Sequence, residues 1–78
     1  MNLYKIFQTV NNDYDTFDAA IVAAESPEDA RTINPDISPN DPWPTGAWCA
    51  IEDVQVERIG KAAEGITKGI ILASFNAG

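Results

Sequence analysis

Residues 3–25 read LYKIFQTVNNDYDTFDAAIVAAE, two alternating apolar runs joined by a knot of asparagine and aspartate. In 3–10 (LYKIFQTV) Leu3, Lys5, Phe7 and Thr9 fall on one side of an extended chain, and Tyr4, Ile6, Gln8 and Val10 on the other. Successive side chains of a strand alternate between faces, and β-branched and aromatic residues favour that geometry. In 16–25 (TFDAAIVAAE) Phe17, Ala19, Ile21 and Ala23 share a face, and alanines on the opposite face leave room for a helix to approach closely. Alanine content also suits a helix. Ile21-Val22 and the preceding turn favour a strand. Between the runs lies NNDYD, 11–15. Asn and Asp form Asx-turns and tolerate left-handed backbone, so this is a hairpin loop.

Working outward, SPEDARTI (26–33) predicts a helix. Ser26 is a good N-cap, Pro27 suits the first helical position, and Glu28 and Asp29 favour its positive end. Asn34-Pro35 ends it, because the residue before proline avoids helical backbone. Residues 34–48 then hold four of the five prolines, with Trp43 and Trp48, and predict a long irregular loop. Residues 50–59 (AIEDVQVERI) predict a third strand. Val54 and Val56 point one way, and Gln55, Glu57 and Ile59 the other. Residues 60–68 connect it to 69–76 (GIILASFN), the most apolar run, which predicts a buried, central fourth strand. The fold class expected is α+β. The order is β-β-α-β-β, with one antiparallel four-stranded sheet, a short helix on one face and a long Pro/Trp loop.

The 78 residues predict a single domain, 1–78. A chain this short buries roughly 60% of its unfolded surface, so the core is small. There is no run of the ~20 apolar residues that a membrane span needs, and the alternating N-terminus has no h-region of a signal peptide. The single cysteine, Cys49, rules out a disulfide within the chain and fits a cytosolic setting.

Twelve acids face five bases, a net charge of −7. The imbalance is uneven. Residues 1–57 carry eleven acids against Lys5 and Arg31, a net of −9, and residues 58–78 carry Arg58, Lys61 and Lys68 against Glu64, a net of +2. Such a chain is a poor ligand for nucleic-acid phosphates, which call for basic surfaces. It is a plausible ligand for a basic protein.

Catalytic chemistry finds little support. Histidine is absent, which removes the commonest general base and zinc ligand. The glycines show neither GxGxxG nor a Walker spacing. Asn11, Asp13 and Asp15 match the first three ligand positions of a calcium loop. The match then fails, because Thr16 stands in the place of the turn glycine and Val22 in that of the closing glutamate. Glu52 and Asp53 are adjacent and so fall on opposite faces of a strand, poor geometry for paired acid–base work. Cys49, beside neither His nor Lys, reads as a partly buried structural thiol. No enzyme, metal or cofactor is expected. Tryptophans are rich in binding hot spots and also cover small cores, so Trp43 and Trp48 admit both roles.

LYKIFQTVNNDYDTFDAAIVAAESPEDAR at the start and KGIILASFNAG at the end resemble a family of small bacteriophage and prophage proteins. The shared features are a VNN turn with YDT, ES-x-E-x-A-R, and a terminal ASFNAG. The likeness covers about the first 33 and the last 11 residues. It implies a phage accessory gene working in the host cytoplasm, and it brings no activity with it. Small acidic phage proteins of this kind are similar to anti-CRISPR and other anti-defence inhibitors. The channels of nucleic-acid-binding effectors are lined with lysine and arginine, and an acidic protein can occupy the phosphate path as a nucleic-acid mimic. The partner expected is a basic host protein or ribonucleoprotein complex. The acidic contacts expected are Asp13, Asp15, Asp18, Glu25, Glu28 and Asp29, with Tyr14 in the hairpin and Trp43 as anchor. The alternative is a phage structural or assembly protein, a homodimer in the simplest case, that self-associates through its sheet edge or tryptophan loop.

Overall fold

Strand β1 (Asn2–Phe7) and strand β2 (Thr16–Ala24) pair antiparallel, with Tyr4 opposite Val22 and Ile6 opposite Ala20. In this computed structural model residues 1–11, 16–35 and 48–76 are described. The expectations for Asp13, Tyr14, Asp15 and Trp43 lie outside the described residues.

Two shorter elements follow, a helix α1 (Pro27–Arg31) and a single 3-10 turn (Ile51–Asp53). Strands β3 (Gln55–Lys61) and β4 (Gly69–Asn76) complete one antiparallel sheet of order β3-β1-β2-β4. The expected α+β class and the element order are therefore present.

One face of the sheet is the core. Tyr4, Ile6, Ala20, Val22 and Ala24 are buried there, beneath Ala30, Trp48, Cys49 and Val54. The small side chains of Ala20, Ala24 and Ala30 allow the helix to sit close. Trp48, 1% exposed, covers the core as one of its two expected roles required. Its indole N–H has no hydrogen-bond acceptor among the described residues. Large aromatic area is what a small core needs, and here it outweighs the cost of one unsatisfied donor.

Helix α1 starts where its caps dictate. The Ser26 hydroxyl accepts from the Asp29 backbone N–H at 3.1 Å, and the Asp29 carboxylate accepts from the Glu25 N–H at 3.3 Å. It stops at Arg31, two residues before the expected end at Ile33. The Thr32 hydroxyl donates to the Asp29 carbonyl at 2.6 Å, and the Thr32 backbone is the C-cap. Arg31 donates to the Val54 carbonyl and so ties the helix to the start of β3.

Three expectations need correction. Gly69–Asn76 is an edge strand, with Ile70, Ile71, Leu72 and Phe75 exposed, not a buried central one. A continuous apolar run signals burial on both faces only when a layer covers each face of the sheet, and among the described residues one face is covered and β4 lies at the edge beside β2. Phe17 does not share a face with Ala19 and Ile21. The register slips between Phe17 and Ala19, so Phe17 packs against the core cluster, with its ring 4.7 Å from that of Phe75. A bulge adds one residue and reverses the alternation beyond it. Glu52 and Asp53 are not on strand faces, because β3 begins only at Gln55.

The connection 62–68 crosses the sheet from one edge to the other. Ala62 donates to the Met1 carbonyl at 3.1 Å as it passes the start of β1. The Ile66 N–H bonds the Ala63 carbonyl at 3.2 Å, closing a turn in which Gly65 takes a φ of 90°. L side chains rarely adopt that conformation, so glycine fits there.

The base of the β1–β2 hairpin depends on Gln8, 3% exposed. Its Oε1 accepts from the N–H groups of Val10 (2.9 Å) and Asn11 (2.7 Å). Its Nε2 donates to the carbonyls of Asn11 (2.7 Å) and Phe17 (3.0 Å). Gln8→Leu fills the same space and strands four backbone groups. The expected cost is about 2–3 kcal/mol, or roughly 10–20 °C in Tm for a domain of this size, read by thermal denaturation.

Candidate protein-binding surface

Charge is sorted along the strand direction. The hairpin end of the sheet is where Phe7 pairs with Ala19 and Gln55. Asp18 lies there, exposed, with its backbone carbonyl accepting from the Gln8 N–H at 3.2 Å. Glu52 and Asp53, both exposed, lie at the same end, just before β3 begins. Asn11 fixes the hairpin to this region by donating from Nδ2 to the Trp48 carbonyl at 3.0 Å. The asparagine that opened the calcium-loop comparison therefore has a structural task.

The opposite end, where Asn2 pairs with Ala24 and Lys61, is mixed in charge. Glu25 and Glu28 are exposed there. Asp29 forms an ion pair with Lys68 at 2.5 Å. Arg58 donates to the Asn2 side chain at 3.1 Å, and Lys61 closes β3. The two remaining bases lie against the protein. Lys5 sits 5.0 Å from the centre of the Phe7 ring, and Arg31 bonds the Val54 carbonyl.

The expected acidic contacts therefore do not form one patch. Asp18 lies near the start of β2 and Glu25 just past its end, seven residues on, roughly 20 Å at strand rise. Asp18 belongs with the hairpin, while Glu25, Glu28 and Asp29 belong with the basic residues. Glu52 and Asp53 join the acidic end, which sequence reading missed by carrying the third strand back to Ala50. The run IED interrupts strand alternation and was the available signal.

Among the described residues no three His, Cys, Asp or Glu side chains converge on a metal position, and no helix is long and apolar enough to cross a membrane. No known protein family, curated protein or solved structure matches the chain.

Two ionisable groups have identifiable physical settings. The Lys68 ammonium, then the Glu25 N–H, holds the Asp29 carboxyl below its ordinary value of 3.8. A carboxyl depressed on folding stabilises the fold above the unfolded value, and that contribution is lost as pH falls through the folded value. Asp29→Asn is expected to lower stability at neutral pH, with the gap to wild type closing as pH falls below 3.8. Urea denaturation from pH 7 to pH 2 reads this.

Burial pushes the Cys49 thiol up to about 11, with Asp53 and then Glu52 adding to the rise. The thiolate is the nucleophile, so this thiol is inert in the native state. Iodoacetamide at pH 8 is expected to leave folded protein unlabelled and to alkylate it fully in urea, as read by mass spectrometry.

Proposed function

We propose that the chain is a phage-encoded, non-enzymatic inhibitor of a host defence complex, of the anti-CRISPR type. It acts in the host cytoplasm by presenting its acidic hairpin end to a basic nucleic-acid-binding site. The observation that carries this reading is the gathering of Asp18, Glu52 and Asp53, all exposed, at the end where the hairpin turn adds Asp13 and Asp15 from the sequence. The resemblance to phage proteins supplies the biological setting. The net charge of −7 argues against a direct contact with nucleic acid.

A channel built for phosphates offers spaced cations in a groove. Carboxylates collected at one end of the sheet suit that groove better than the same charges spread over a flat face. The pairing steers encounter and weakens with salt. Tyr14 and Trp43 add apolar contact area in this reading.

The test is capture of a host complex from bacterial lysate, with and without RNase, followed by affinity measurement on the purified pair. Changing Asp13, Asp15 and Asp18 together to Asn is expected to weaken binding at least tenfold at low salt and less at high salt. Glu25→Gln with Glu28→Gln is expected to produce the smaller loss. Unchanged affinity in the triple variant overturns the reading.

A further inference from the structure

The far face of the sheet is apolar where a solvated face would carry polar side chains. An antiparallel sheet with one wet face alternates apolar and polar residues along each strand. Here the residues between the core positions are Leu3, Lys5 and Phe7 on β1, and Ala19, Ile21 and Ala23 on β2. Pairing sets them in rows across the strands. Lys5, Ile21 and Leu72 form one row, and Phe7, Ala19 and Ser74 the next. The second row is small at Ala19 and Ser74, and a groove of about 340 Å³ opens there, with Ile21 and Leu72 in its lining. Lys5 is the one charged residue of that lining. Its ammonium leans toward the second row, 5.0 Å from the centre of the Phe7 ring. Among the described residues it has no carboxylate partner, although Glu57 stands opposite Lys5 on β3.

We propose that this groove binds a small amphipathic monoanion, a carboxylate with a short aliphatic tail. The carboxylate meets the Lys5 Nζ, and the tail lies over Ala19, against Ile21 and Leu72, toward Ser74. Size and charge select this occupant. The volume falls at the low end of the roughly 300–1,000 Å³ of small-molecule sites. The span from β1 to β4 is two interstrand steps, about 10 Å, which a tail of roughly eight carbons fills. An α-helix of a partner, about 10–12 Å across with its side chains, is too wide to enter. A lone cation in an apolar lining opposes a cationic head and leaves a neutral one without a charged partner. The acids that flank the groove in the register, Asp18 and Glu57, lie outside its lining, and more distant ones are screened beyond ~8 Å at physiological salt. This inference does not depend on the inhibitor reading.

The test is a heteronuclear NMR titration of the full chain with octanoate, and with 1-octanol and octylammonium as the neutral and cationic counterparts. Saturable shifts are expected at Lys5, Phe7, Ala19 and Ser74, with octanoate binding severalfold tighter than either counterpart. The net charge of −7 favours the cation elsewhere on the surface, so this preference is the mark of Lys5. Ser74→Phe, at an exposed position, fills the groove and is expected to abolish binding while keeping the native circular dichroism. Lys5→Gln is expected to weaken binding severalfold, the range of an exposed ion pair, and Lys5→Arg to retain it. Asp18→Asn removes a flanking anion and is expected to tighten binding, the opposite of its effect on a basic partner. The proposal is overturned by an absence of saturable shifts, by octylammonium binding as tightly as octanoate, or by unchanged affinity in Ser74→Phe. Shifts of the same residues on diluting the protein alone would place a second copy on the groove and overturn it too.

Discussion

The fold depends on a buried amide. Gln8 lies at the point where β1 leaves the sheet, and its side chain bonds four backbone groups on the two arms of the hairpin. A hairpin without a two-residue glycine turn lacks the usual local device for fixing register. Gln8 supplies one from the side. It holds Asn11 and Phe17 at set positions, and so fixes which residue of β2 faces which residue of β1. In a strand a one-residue slip turns every side chain to the other face. Tyr4, Ile6, Ala20, Val22 and Ala24 all reach the core because that register is held.

The core that results is one-sided and thin. A five-residue helix cannot cover a four-stranded sheet, and isolated helices of that length do not persist in water. Trp48 and Cys49 extend the cover, and Asn11 and Arg31 fasten the covering segments at two places, on the Trp48 and Val54 carbonyls. The far face keeps a shallow groove lined by Ala19, Ile21, Leu72 and Ser74, with Lys5 at its side. The Lys5 ammonium lies over the Phe7 ring, 5.0 Å from its centre.

Much of this was legible in the residues. Period-two alternation located β1 and β2, and the Ser26-Pro27 start of the helix follows from capping chemistry alone. The alanines at 20 and 24 are the residue type that a close helix contact calls for, and both meet Ala30 in the core. The failures have specific causes. GIILASFN looks the same whether strands flank it on two sides or one, since composition records hydrophobicity and not neighbours. The bulge near Asp18 moved Phe17 to the core face, and no residue there is a glycine or proline that would have marked it. The acidic surface was misdrawn because sequence proximity joined Asp18 to Glu25, while the strand between them carries them to opposite ends. Glu52 and Asp53 return to the hairpin end through pairing of β3 with β1, a contact across about fifty residues of chain.

Sorting charge along one axis has a consequence for specificity. An evenly acidic surface would attract any basic protein and fix no orientation. Here Asp18, Glu52 and Asp53 lie at the hairpin end, while the acids of the other end, Glu25, Glu28 and Asp29, lie among the cations Arg58, Lys61 and Lys68. In the proposed reading the molecule enters a positive field hairpin first.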